Sequence, residues 1–147
     1  MNNYNNILVA IDFSKAADTV IQRALDTARR NETGLTLLHV VEYMPPMDIA
    51  YEPVMTSTWA IDENELIEQA QKNLEKFCER HQLELSQHKV VVGTPKYEIC
   101  QFVRDNHCDL IILGAQGRHG IKLLLGSTAS GVLHEMPCDV LAVKIKE

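Results

Sequence analysis

Leu110-Ile111-Ile112-Leu113 is apolar at every position and stops on Gly114. A run with no polar alternation cannot turn one face to water. It belongs in a strand covered on both sides, the usual situation in a parallel sheet. Gly117 and Gly120 punctuate the segment that follows, and Gly126 stands directly before Ser127 and Thr128. Glycine lets backbone N–H groups turn toward a ligand with no side chain in the way. Hydroxyls beside a helix start add donors where the peptide dipoles already favour an anion. A strand, a glycine loop and a Gly-Ser-Thr helix start together form a phosphate cradle.

The same kind of strand recurs along the chain. Ile7 to Ile11 is a continuous β-favouring run closed by Asp12, and Leu35 to Val41 is a second. Lys89 to Val92 reads as a third and ends at Gly93, Leu110 to Leu113 is the fourth, and Val140 to Ile145 is the fifth. Helical spacing separates them. Val20, Ile21, Ala24, Leu25 and Ala28 share one face of a helix that Ser14 can cap and that should stop near Asn31, ahead of Gly34. Leu66, Ile67, Ala70, Leu74, Phe77 and Cys78 form a stripe along Asp62 to His81. Thr94-Pro95 opens a helix with Ile99, Cys100 and Val103 inward, and Ser127 to Glu135 is a short last helix.

Alternation of this kind implies a single α/β domain over residues 1–147, a parallel sheet with helices on both faces. Ligands bind such sheets outside the carboxyl ends of the strands, where the strand order switches. Asp12, Val40, Val41, Gly93 and Gly114 all fall on that rim. Between Glu42 and Ile61 the periodicity is lost: Pro45, Pro46 and Pro53 break it, and Tyr43, Met44, Met47, Tyr51, Met55 and Trp59 make it apolar for a loop. It reads equally as a functional lid or as a flap over the sheet edge or a partner.

The bulk properties narrow the function. A net charge of −6 argues against general affinity for nucleic acid or anionic membrane. No apolar run approaches the roughly 20 residues of a membrane span, and the Met-Asn-Asn-Tyr-Asn-Asn start lacks the character of a signal peptide. Cys78, Cys100, Cys108 and Cys138 are scattered in apolar surroundings, as reduced core thiols of a cytoplasmic protein would be, and their spacing gives no support to zinc.

Taken together, these segments resemble the universal stress protein family. The match runs through Ile-Leu-Val-Ala-Ile-Asp at 7–12, Leu-Leu-His-Val-Val at 37–41, Gly-Thr-Pro at 93–95, Cys-Asp-Leu-Ile-Ile-Leu-Gly at 108–114, Gly-Ser-Thr-Ala at 126–129 and Pro-Cys-Asp-Val-Leu-Ala-Val at 137–143. The resemblance implies a Rossmann-like three-layer α/β fold, with a five-stranded parallel sheet of order 3-2-1-4-5, four helices, and a homodimer formed through the last strand, Val140 to Ile145. The nucleotide-binding branch carries the pattern Gly-x2-Gly-x9-Gly-Ser/Thr. Gly114-Ala-Gln-Gly117 fits its first half and Gly126-Ser127 its end, with eight residues between Gly117 and Gly126, one fewer than usual. The likeness implies ATP or AMP, with or without Mg²⁺. Gly114, Gln116, Gly117, Gly126, Ser127 and Thr128 would lie at the phosphates, and Ala10, Ile11, Asp12, Val40 and Val41 against the adenosine. Another branch of the family lacks these glycines and does not hold ATP, so the glycine pattern carries the implication.

Each candidate has a plainer reading. Asp12 suits a ribose hydroxyl or a turn that caps the next helix. Ser127 and Thr128 suit phosphate or the cap of the last helix, which use the same geometry. Arg118 and His119 suit the β- and γ-phosphates, as Lys122 does more weakly, and are also ordinary loop cations. Gly120 and Gly131 read as structural, His39 as a satisfied core histidine, His134 as a helix-dipole residue, and Glu63, Glu65 and Glu135 as solvated charges. There is no Gly-x-Ser-x-Gly elbow, no Walker A lysine, and no nucleophile with its base. The expectation is a dimeric nucleotide-binding sensor. A nucleotide-free interaction module using loop 42–61, and a slow ATPase or autophosphorylating protein, are the alternatives.

Overall fold

Ile7–Ala10 (β1) forms the centre of a five-stranded, all-parallel sheet. Leu35–Val41 (β2) and His88–Val92 (β3) lie to one side of it; Leu110–Gly114 (β4) and Asp139–Val143 (β5) lie to the other. The order β3-β2-β1-β4-β5 is the one the family resemblance implied. The computed structural model describes residues 3–42, 62–83, 87–115 and 126–145. Gln116, Gly117, Arg118, His119, Gly120, Lys122 and the expected lid or flap over 43–61 lie outside the described residues.

Strand side chains alternate between two apolar layers. Ile7, Val9, Ile11, Leu37, Leu110 and Ile112 pack beneath Ala16–Asn31 (α1) and Glu63–Arg80 (α2). Leu8, Leu38, Ile111 and Leu113 pack beneath Pro95–Asn106 (α3) and Ser127–Glu135 (α4). Strands buried on both sides explain the absence of polar alternation in β1 and β4. The expected inward residues of α2 are half-buried at Leu66 and Ile67 and fully buried from Ala70 to Cys78 along the stripe.

Helix ends depart from the sequence reading in detail. Ser14 does not cap α1: Lys15 holds that position without a side-chain bond, and the Ser14 hydroxyl donates instead to Asp12. Thr94 does stand ahead of Pro95 at the start of α3, yet its hydroxyl makes no capping bond. Asp62, by contrast, caps α2 by accepting the Asn64 N–H at 3.1 Å. α1 does end at Asn31, as expected, but its left-handed cap residue is Glu32 (φ 55°), two residues before Gly34. His107 and Met136 end α3 and α4 the same way. A left-handed non-glycine residue costs roughly 1–2 kcal/mol, offset here by the cap amides, which bond back to carbonyls of the last turn.

The amino-terminal ends of β1 and β4 are pinned by Asp109, whose carboxylate accepts the amides of Asn5 (2.7 Å) and Asn6 (3.0 Å). At the opposite rim the Gly93 N–H donates to the Val41 carbonyl at 2.9 Å, continuing the β2–β3 ladder. Gly93 has φ 154°, and an added Cβ would come within 2.5 Å of a Glu98 carboxylate oxygen, so a side chain there would be strained and would displace Glu98. That end of the rim is fixed.

Ile111 is fully buried between the sheet and the α3–α4 layer. Ile111→Ala should lower unfolding stability by about 2–5 kcal/mol through lost burial and the cavity left behind, read from the urea midpoint.

Candidate functional site

β1 is where the strand order switches. The chain goes from β1 to β2 on one side and later returns to β4 on the other, with α1 and α4 on opposite faces. The crevice beyond the carboxyl ends of β1 and β4 is therefore the ligand position of this architecture. Continuing the register Val9↔Ile112 by two residues places Ile11 beside Gly114.

On the β1 side the chain leaves the sheet through a tightly held turn. The Ile11 N–H donates to the Leu38 carbonyl at 3.0 Å. The Ile11 carbonyl contacts Nδ1 of His39 at 2.8 Å. Asp12 follows, and its Oδ1 accepts both the Ser14 N–H (3.1 Å) and the Ser14 hydroxyl. This is an Asx turn, as the plainer reading of Asp12 has it, but it does not cap α1. It leaves Oδ2 with no recorded protein partner among the described residues, so the second reading stands beside the first. Val40 and Val41 continue the same rim, half-buried, and the Val41 carbonyl is engaged by Gly93.

On the β4 side the Ala115 N–H donates to the Val143 carbonyl at 2.8 Å, extending the β4–β5 ladder past Gly114. The Ala115 carbonyl then accepts the Gly126 N–H at 2.8 Å, which ties together the two ends of the 116–125 segment. Gly126 is the residue before α4 (φ −60°, ψ 157°), and no side chain caps the helix. The plainer reading of Ser127 and Thr128 as caps does not hold. The first backbone bond of α4 runs from the Ser130 N–H to the Gly126 carbonyl at 2.9 Å. The amides of Ser127, Thr128 and Ala129 precede that bond and point out of the helix start, together with the dipole's positive end.

The structure thus places Ala10, Ile11 and Asp12 at the carboxyl end of β1, Gly114 at that of β4, and Gly126, Ser127 and Thr128 at the start of α4. Gly131 is structural, as expected: a Cβ there would meet the Lys96 side chain at 2.7 Å. His39 is buried, as expected, and packs on Phe13 with ring centroids 4.2 Å apart. The sequence reading missed its link to the Ile11–Asp12 turn. The available signal was positional, since His39 directly precedes two rim residues. The Ala115 carbonyl, which occupies the Gly126 amide, was missed as well, because a backbone acceptor leaves no trace in residue type.

A model of the universal stress protein family matches residues 3–144. The chain belongs to the universal stress protein family. Universal stress protein A homolog 2 of Coxiella burnetii is 36% identical over 148 residues, covering 99% of both chains. Universal stress protein UspA from Lactobacillus plantarum superposes with a TM-score of 0.71 at 30% identity, over 99% of this chain and 100% of that one. A universal stress protein solved in complex with cAMP shares the fold, with a TM-score of 0.56 at 18% identity, over 97% of this chain and 98% of that one.

The cysteines of this universal stress protein stand apart from the crevice. All four are free thiols; Cys78, Cys100 and Cys108 are buried, and Cys138 is half-buried. Burial, and then the neighbouring Cys108, Asp139 and Asp109, push the Cys138 thiol up to about 11. The neutral thiol is favoured in the folded state, so the associated stability is intact below the ordinary thiol value and is lost as pH rises toward 11. At pH 8 the thiolate fraction should be about a hundredfold below that of an ordinary cysteine. Iodoacetamide should therefore label native Cys138 about a hundredfold more slowly than the denatured chain, read by intact-mass spectrometry.

Proposed function

We propose that this universal stress protein binds ATP or AMP in the crevice between β1 and β4 and acts as a cytoplasmic, dimeric sensor of adenine nucleotide. The observation that carries the reading is the start of α4. It lies at the switch point with three first-turn amides unbonded within the helix, no side-chain cap, and two adjacent hydroxyls. Such a terminus suits a phosphate, because the N–H groups and the helix dipole act on the same anion.

Ser127 and Thr128 would hold phosphate, with Gly114, Gln116 and Gly117 offering backbone close by and Arg118 and His119 supplying charge. Asp12, through Oδ2, would accept a ribose hydroxyl, with Ala10, Ile11, Val40 and Val41 against the adenosine. Mg²⁺ would arrive on the phosphates, since it commonly needs only a carboxylate or two beside them. A protein of the same fold was solved in complex with cAMP, itself an adenine nucleotide. The Ser14 hydroxyl that meets the Asp12 carboxylate is tied into the Asx turn, so any hydrolysis would be slow and binding would be the function.

Equilibrium titration with ATP and Mg²⁺ tests the reading. Saturable binding is expected, and its absence at millimolar nucleotide overturns it. Gly126 has a backbone conformation open to any L residue, so Gly126→Val should fold normally. Its branched side chain at the mouth of the helix should weaken ATP binding about tenfold or more, the cost of losing a charge-assisted hydrogen bond.

One observation favours the second reading, a nucleotide-free dimeric module. The Gly126 amide is already bonded to Ala115, which removes one donor from the cradle. The same titration separates the two.

Dimerisation is proposed through β5, which is an edge of the sheet. The Val143 carbonyl faces β4, so by alternation the polar backbone groups of Ala142 face the open edge. Ala142→Pro removes an outward N–H and leaves the β4–β5 ladder intact. It should convert a dimer to a monomer in light scattering with little change in melting temperature.

A further inference from the structure

His39 is the side chain on β2 that reaches across to the exit of β1. It is 8% exposed, on the same face of the sheet as α1. Its Nδ1 lies 2.8 Å from the Ile11 carbonyl, and its ring packs against Phe13 at 4.2 Å. A carbonyl oxygen can only accept, so Nδ1 carries the hydrogen. Ile11 is thereby held at both polar atoms by consecutive residues of β2: its N–H by the Leu38 carbonyl, its C=O by His39.

The peptide unit joining Ile11 to Asp12 is planar, so fixing the Ile11 carbonyl fixes the direction in which the Asp12 N–H points. The ring contact with Phe13 holds the other side of Asp12. We infer that His39 is a positioning residue: it clamps the Ile11–Phe13 turn and so sets the orientation of the Asp12 carboxylate that meets the ribose. This rests on the nucleotide reading for its consequence, while the clamp itself can be measured without nucleotide.

The variants follow from geometry. Asn places an amide nitrogen where His has Nδ1, so His39→Asn keeps the donor and loses the ring. His39→Leu loses both and leaves the Ile11 carbonyl without that donor. Either change should lower the melting temperature, so stability alone does not discriminate. The discriminating readout is hydrogen exchange at the Ser14 amide, which bonds to Asp12 Oδ1, in nucleotide-free protein. His39→Leu should speed that exchange by about fivefold or more relative to wild type, the equivalent of one net hydrogen bond. His39→Asn, which keeps the donor and loses only the Phe13 contact, should exchange at a rate between the two. ATP affinity should follow the same order, weakened by about fivefold in His39→Leu and less in His39→Asn.

An unchanged Ser14 exchange rate in His39→Leu overturns the inference, as does an Asn variant that exchanges as fast as the Leu variant. Wild-type protein that binds no ATP refutes the proposed function alone, because the exchange measurement still decides whether His39 holds the turn.

Discussion

The central strands β1 and β4 are dry on both faces. Ile7, Leu8, Ile111 and Ile112 are fully buried, half of them under the α1–α2 layer and half under the α3–α4 layer. Backbone groups in such a place have no water to turn to and must be bonded by neighbouring strands. The parallel ladders satisfy this along the strands. They cannot satisfy it where the chain leaves the sheet. Polar groups with spare valences are therefore gathered at the strand ends, and only the carboxyl rim also receives helix N-termini. The position of the crevice follows from the dryness of the core.

Much of this was legible in residue order. Unbroken apolar runs can be accommodated by few structures, and all five were placed within a residue or two: β2 matched at both ends, β1 stopped at Ala10 in place of Ile11, and β5 occupied Asp139–Val143. Helix interiors were equally clear, since Ile99, Cys100 and Val103 are all inward. Helix bounds were legible as well, α4 matching at both ends and α1 stopping at Asn31, but the bonds that cap them were not. A serine ahead of a helix has several acceptors and donors in reach, and Ser14 bonds to the nearby Asp12 carboxylate where a cap had been expected. Glycine marks a left-handed stop only when no other residue can bear the strain, and Glu32 bears it.

The crevice was legible as a set of residue types and illegible as a set of bonds. Asp12 follows the end of β1, and Gly126 and Ser127 open α4. That Ala115 takes the Gly126 amide, and that His39 takes the Ile11 carbonyl, depends on backbone atoms that every residue possesses. Sequence identifies which side chains reach the rim; three-dimensional arrangement decides which main-chain donors are still uncommitted.

The bond between Ala115 and Gly126 acts as a clasp at the base of the intervening span. With both anchor points secured to the sheet and to the helix, adding or deleting one residue within that span changes closure entropy only slightly. The scaffold is thereby insulated from indels there. A change of one residue in the length of this span would leave the surrounding architecture as it is.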